Sequence, residues 1–156
     1  MNAIKCYVVA VFLGLIASFT VPAFAQKPQD MTGAKDHPML SRYPDSRIEE
    51  YKKNFDEVQF AIGRNPDGSD RRIGVEGDTT RIRYFHNIPD KQPSPLQLLR
   101  NYQNAIQSIG GDVVYERTPA DTYGGETTLR VTTNNKEVWV QVTPGIFSAP
   151  TQSYDI

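Results

Sequence analysis

Cysteine occurs once in this chain of 156 residues, at position 6, and histidine only twice. One thiol cannot close a disulfide within the chain, and two imidazoles fall short of the clustered ligand sets that hold zinc or iron. Excess charge of one sign is also missing. Seventeen Lys and Arg stand against 18 Asp and Glu, a formal net charge of −1, so no overall field attracts nucleic acid or an anionic membrane. A long apolar run occurs once, from Cys6 to Phe19, and it is shorter than the roughly 20 residues that span a bilayer. Aromatic side chains are well represented, with 8 Tyr, 7 Phe and 1 Trp, which argues for a packed core over wholesale disorder.

The apolar run has a processing signature. Lys5 is the only charge before Lys27, Pro22 breaks any helix, and Ala23-Phe24-Ala25 supplies small residues at the −3 and −1 positions of a cleavage site. The expected cut follows Ala25, so residues 1–25 are a signal peptide rather than an uncleaved anchor. Cys6, with no apolar run before it, does not fit a lipoprotein acylation site. The mature chain then has no disulfide, thiol nucleophile or thiolate metal site. That composition is ordinary for Gram-negative periplasmic and envelope proteins. The expected location is the periplasm or an outer-membrane-associated position, with no membrane span in the mature chain.

Turn signals divide the remainder. Residues 26–35 are polar and contain Pro28 and Gly33, which reads as a flexible leader. Residues 36–147 form the expected domain, and residues 148–156 a C-terminal tail or truncated linker. Within the domain, Val58, Phe60 and Ile62 alternate as one face of a half-buried strand over Asp56–Ile62. A turn at 64–70 contains Pro66 and Gly68. The next strand places Thr80, Ile82 and Tyr84 opposite Thr79, Arg81, Arg83 and Phe85.

Ser94-Pro95-x-Gln97 is a capping box with proline in the first turn. The apolar stripe Leu98, Leu99, Tyr102, Ala105, Ile106, Ile109 carries the helix to Gly110-Gly111. Arg100, Asn101, Gln103, Asn104 and Gln107 are expected to face water. Three more strands follow, at 112–116, 127–133 and 137–143, the last two joined by an Asn134-Asn135 turn. The order ββαβββ predicts an α+β domain, an antiparallel sheet of about five strands with one amphipathic helix on one face.

Catalytic constellations are sparse. No nucleophile-elbow glycine pattern surrounds a serine, and His37 and His86 read as polar residues at element boundaries rather than general bases. The pairs Glu49-Glu50 and Asp56-Glu57 point to opposite faces of an extended chain and make poor acid/base couples. Asp67-Gly68-Ser69-Asp70 resembles part of a calcium loop but lacks the later ligands. The expectation is therefore no enzyme, no cofactor and no metal. Arg71-Arg72 with Arg81 and Arg83 forms the one basic cluster. Arg81 and Arg83 sit one strand repeat apart, spaced to take a carboxylate or phosphate, or to pair with nearby Glu76 and Asp78. Trp139, also outward, can stack on a sugar or pack under a neighbouring segment, and packing is the favoured role.

Three runs together carry a resemblance. They are Asp36-His37-Pro38-Met39-Leu40-Ser41-Arg42-Tyr43-Pro44; Val75-Glu76-Gly77 leading to Arg81-Ile82-Arg83-Tyr84; and Arg100-Asn101-Tyr102 with Ala105-Ile106 and Gly110-Gly111. They resemble the N-terminal domain of proteobacterial OmpA-family envelope proteins, over about Asp36 to Thr143. In that family the domain precedes a C-terminal OmpA-like domain that binds peptidoglycan. No counterpart of that half is present in these 156 residues, so the resemblance implies neither peptidoglycan binding nor a catalytic residue. It implies a non-enzymatic exported envelope domain with a structural or interaction role and an envelope protein or cell-wall component as partner. The alternative is a small-ligand or glycan-binding module using Arg81, Arg83 and Trp139.

Overall fold

A computed structural model describes residues 29–119, 124–145 and 152–156. The expected signal peptide lies outside the described residues. The elements are β1 (Ser46–Arg64), β2 (Asp70–His86), a 3₁₀ turn at Pro89–Lys91, α1 (Pro95–Ser108), β3 (Asp112–Arg117), β4 (Glu126–Thr133), β5 (Lys136–Pro144) and β6 (Ser153–Asp155). They form one antiparallel sheet ordered β1-β2-β6-β5-β4-β3, with one α-helix among the described residues. The α+β architecture is the one expected, but the sheet has six strands rather than five. The additional strand lies in the segment that sequence reading assigned to the tail. Residues 153–155 offer no run of alternating apolar side chains. They become a strand because β2 and β5 supply hydrogen-bonding partners on both sides.

α1 follows its sequence signals closely. The Ser94 hydroxyl accepts the Gln97 N–H at 3.2 Å, and Pro95 fills the first helical position. Leu98, Leu99, Tyr102 and Ile106 are fully buried against Leu129, Val131, Val140 and Val142 of β4 and β5. Gly111 closes the helix where an added Cβ would meet Ile106, Val131 and the Arg130 carbonyl at 2.5–2.8 Å. Two expectations for this helix need correction. Ile109 is exposed, because it is the C-cap residue and has turned away from the stripe. Gln103 is buried, because its amide donates to Glu116 (2.9 Å) and the Thr127 hydroxyl (3.1 Å) on the sheet beneath.

Asn134 and Asn135 both adopt positive φ, 51° and 59°, in the turn between β4 and β5. β1 and β2 are much longer than their alternating segments suggest, 19 and 17 residues. They pair continuously apart from irregularities at Ile48/Glu50 and Ala61/Gly63. At the base of this hairpin Ile48, Ile82 and Tyr84 join the core beneath α1. At its tip the strands fold over the opposite face of β3–β5. There Phe60 meets Trp139 with ring centroids 5.6 Å apart, and the tip is tied down by ions. Arg72 and Arg117 both reach Asp70 and Glu126 at 2.6–3.3 Å, and Gln141 donates to Glu126 at 2.6 Å. Glu126 is 2% exposed, so its contacts with Arg72, Arg117 and Gln141 replace the water it has lost. For Asp70, burial alone would raise the carboxyl, but the hydrogen bonds from Arg117 and Arg72 overrule it and hold it below the usual range.

The residues read as a leader reach the sheet from position 30 onward. The Met31 N–H donates to the Ile48 carbonyl at 2.8 Å, and Ala34 packs on the core. Arg42 organises this strap. Its guanidinium holds Asp30 and Asp36, reaches the Ser46 carbonyl, and lies 5.6 Å from the centroid of the Tyr84 ring. Tyr84 in turn donates to Asp36 at 2.8 Å.

Candidate functional site

β6 does not run the full length of its neighbours. It pairs with Arg83–Phe85 of β2 and with Thr143–Pro144 of β5, and Ile156 adds two hydrogen bonds to Ile82. Past the residues paired with β6 the two flanking strands continue, and among the described residues no other strand lies between them. The space they leave is a cleft of about 610 Å³. Its walls include every residue from Val75 to Arg83 and every residue from Lys136 to Gln141. A cleft over one face of a sheet would touch every second residue. Consecutive lining means that this one runs along strand edges.

All three residues singled out in the sequence line it. Arg81 makes no hydrogen bond or ion pair among the described residues and is exposed. It sits opposite Lys52 on β1, which also lines the cleft, so two cations face each other there. Arg83 is already engaged, with Asp155 at 2.9 Å and Glu50 at 2.6 Å. These partners raise its pKa further. The sequence pairing with Glu76 and Asp78 is thus replaced by partners on β1 and β6, because a residue's cross-strand neighbours, not its chain neighbours, share its face. Trp139 packs against Phe60, carries Arg130 at 5.7 Å from its ring centroid, and donates its indole N–H to Glu137.

The histidines are not brought together as a pair. His37 lines the cleft, accepts the Met39 N–H at 3.3 Å, and has its pKa lowered by burial and by Lys53. His86 is buried beside Tyr43, ring centroids 5.9 Å apart, with neither nitrogen hydrogen-bonded among the described residues. Burial lowers its pKa, and Asp45 opposes that shift. Among the described residues no three His, Cys, Asp or Glu side chains are grouped to hold a metal ion. No helix among them is long and apolar enough to cross a membrane.

Sequence reading missed the edges themselves. Their place on either side of β6 depends on that strand entering between β2 and β5, a long-range arrangement with no local sequence signal. Tyr154 was the available clue, a lone aromatic in a polar tail, and it is buried with its hydroxyl accepting the Tyr43 N–H at 2.9 Å. No protein-family model, curated protein or solved structure matches this chain.

Proposed function

We propose that this is a non-enzymatic interaction domain of the bacterial cell envelope, exported by residues 1–25, whose cleft between β2 and β5 receives a partner. The observation that carries this reading is the cleft itself, about 610 Å³, with the β2 and β5 edges and the Arg81 guanidinium, unpaired among the described residues, on its walls. Clefts of this size with a few convergent polar groups are the usual seats of recognition. The leader and the resemblance to OmpA-family N-terminal domains support the periplasm or an outer-membrane-associated position, with an envelope protein or cell-wall component as partner. In this reading the Asp36–Tyr43 run is structural. Its Asp36 and Arg42 hold the strap over Tyr84.

Arg81→Glu tests the proposal. Because Arg81 is exposed and unpaired, the substitution should leave the denaturation midpoint within about 0.5 kcal/mol of the parent. It should also abolish capture of the partner that the parent recovers from envelope extracts. Equal capture by both proteins removes the cleft from the account.

The second reading is a small acidic ligand or glycan held by Arg81, Arg83 and Trp139. Two of its three residues are already occupied, Arg83 by carboxylates and Trp139 by Phe60 and Arg130, which favours the first.

A further inference from the structure

β1 is an outer strand of the sheet, with β2 on one side of it. Hydrogen-bond parity identifies the residues that turn their backbone away from β2. In an antiparallel ladder a residue's N–H and C=O share one edge, and that edge alternates along the strand. Ile82 exchanges N–H···O bonds with Ile156, at 2.8 and 2.9 Å, so it faces β6 and not its opposite number on β1, Tyr51. The bonded pairs of the hairpin are therefore Lys52 with Arg81, Asn54 with Thr79, Asp56 with Gly77 and Val58 with Val75. Tyr51, Lys53, Phe55, Glu57 and Gln59 point their N–H and C=O groups outward.

At the base of β1 that outer edge is taken. The Ile48 N–H donates to the Asp30 carboxylate and its carbonyl accepts the Met31 N–H, both at 2.8 Å. From Tyr51 to Gln59 no backbone group outside β2 bonds β1 among the described residues. Side chains reach it at two points. The neighbouring Asp56 carboxylate accepts the Glu57 N–H at 3.0 Å, and the Gln59 carbonyl accepts from Arg72 at 3.1 Å. Both contacts are exposed, and a carbonyl keeps a second lone pair.

Open edges are usually guarded by proline or by unanswered charge. Residues 51–59, Tyr-Lys-Lys-Asn-Phe-Asp-Glu-Val-Gln, contain no proline, and Lys52 and Lys53 are balanced by Asp56 and Glu57. Lys53 and Glu57 stand symmetrically about Phe55, on the same face of the strand. Phe55 itself is 66% exposed and belongs to no core. An edge with opposite charges on either side of an apolar centre is complementary to itself when reversed.

We propose that β1 pairs edge to edge and antiparallel with β1 of a second copy of this chain, about a two-fold axis at Phe55. This goes beyond the cleft reading and does not depend on it.

Symmetry and parity fix the register. Outward-facing residues must meet outward-facing residues, and a two-fold axis makes every contact reciprocal. The uninterrupted ladder lies between the irregularities at Ile48/Glu50 and Ala61/Gly63, and Phe55 stands near its middle. With the axis there, Phe55 meets Phe55 of the second copy, Lys53 meets Glu57, and Tyr51 meets Gln59. The incoming Lys53 also answers the Glu57–Glu76 repulsion within the hairpin. An axis at Lys53 or at Glu57 would set like charges against each other. An axis at Asn54 would leave Phe55 facing Lys53 and Glu57 facing Tyr51.

Sedimentation equilibrium of the protein from about 1 μM to about 1 mM tests the proposal. The expected result is a concentration-dependent monomer–dimer equilibrium. Phe55→Lys places two cations on the axis and should leave only monomer. Lys53→Glu and Glu57→Lys should each weaken the dimer by about tenfold or more, and the double variant, which restores both pairs reversed, should regain parental affinity. All of these side chains are exposed, so denaturation midpoints of the variants report that folding is intact. In amide exchange, protection should rise with concentration at Tyr51, Lys53, Phe55, Glu57 and Gln59. It should stay constant at Lys52, Asn54, Asp56 and Val58, whose amides already bond β2. A protein that stays monomeric throughout, or a dimer that survives Phe55→Lys, overturns the proposal. Failure of the double variant to recover overturns the Phe55 axis, and concentration-dependent protection without the two-residue alternation overturns strand pairing. Arg81→Glu should dimerise like the parent, so loss of the dimer and loss of the cleft partner are read separately.

Discussion

Around α1 the sheet is dry. Leu98, Leu99, Tyr102 and Ile106 meet Leu129, Val142 and Tyr154 with almost no exposed surface. Along the middle of the β1–β2 hairpin the opposite holds. No residue from 49 to 59 on β1, or from 70 to 81 on β2, is buried, and Phe55 is 66% exposed. Like charges even face each other there, Lys52 opposite Arg81 and Glu57 opposite Glu76, which opposes pairing. This stretch is held by its backbone ladder and by anchors at its two ends, the Ile48–Ile82–Tyr84 base and the Asp70–Arg72–Arg117–Glu126 tip. Stability is concentrated where the helix covers the sheet. Of the two strands that wall the cleft, β2 belongs to the region contributing least to it, which is where recognition surfaces are commonly found.

The contrast can be broken from either side. Leu99→Ala removes a fully buried side chain from the helix-covered half and should cost about 2–5 kcal/mol in urea denaturation, the largest effect expected. Glu126→Ala attacks the hairpin tip instead. It removes one carboxylate from both Arg72 and Arg117 and should cost about 3 kcal/mol, with hydrogen exchange accelerating first at residues 60–64 and 70–73. If exchange accelerates equally throughout α1, the two regions are one cooperative unit and the contrast fails.

A smaller change is expected with pH. His37 and His86 both have pKa values lowered in the fold by burial, so the unfolded chain binds protons more readily than the native one. Their contribution to stability is complete above the ordinary histidine value near 6.5 and is lost as pH falls through that value. Denaturation midpoints should therefore drop between about pH 7 and 5, and His86→Phe should flatten that drop.

The elements most legible in the sequence were those whose signals are local. The Ser94 cap, the apolar stripe of α1, the Gly110-Gly111 stop and the Asn134-Asn135 turn each rest on a few neighbouring residues, and each is found in place. The ends of β1 and β2 were not legible, because a ladder exposed on both faces leaves no apolar alternation to read. β6 was hidden for a different reason. Three residues became a central strand through pairing with chain segments about ten and seventy positions away. For the site, outward alternation picked Arg81, Arg83 and Trp139, and the cleft contains all three. Which of them is free depends on Asp155, Glu50 and Phe60, residues that only the fold brings near.

The most direct measurement is amide hydrogen exchange, residue by residue, along β5 of the free protein. The account predicts alternation, with Val138, Val140 and Val142 slow because they are bonded to β4, and Trp139 and Gln141 fast because their edge borders the cleft and pairs with no strand among the described residues. Uniformly slow exchange from Val138 to Val142 would mean that the edge is already paired, and would contradict the account.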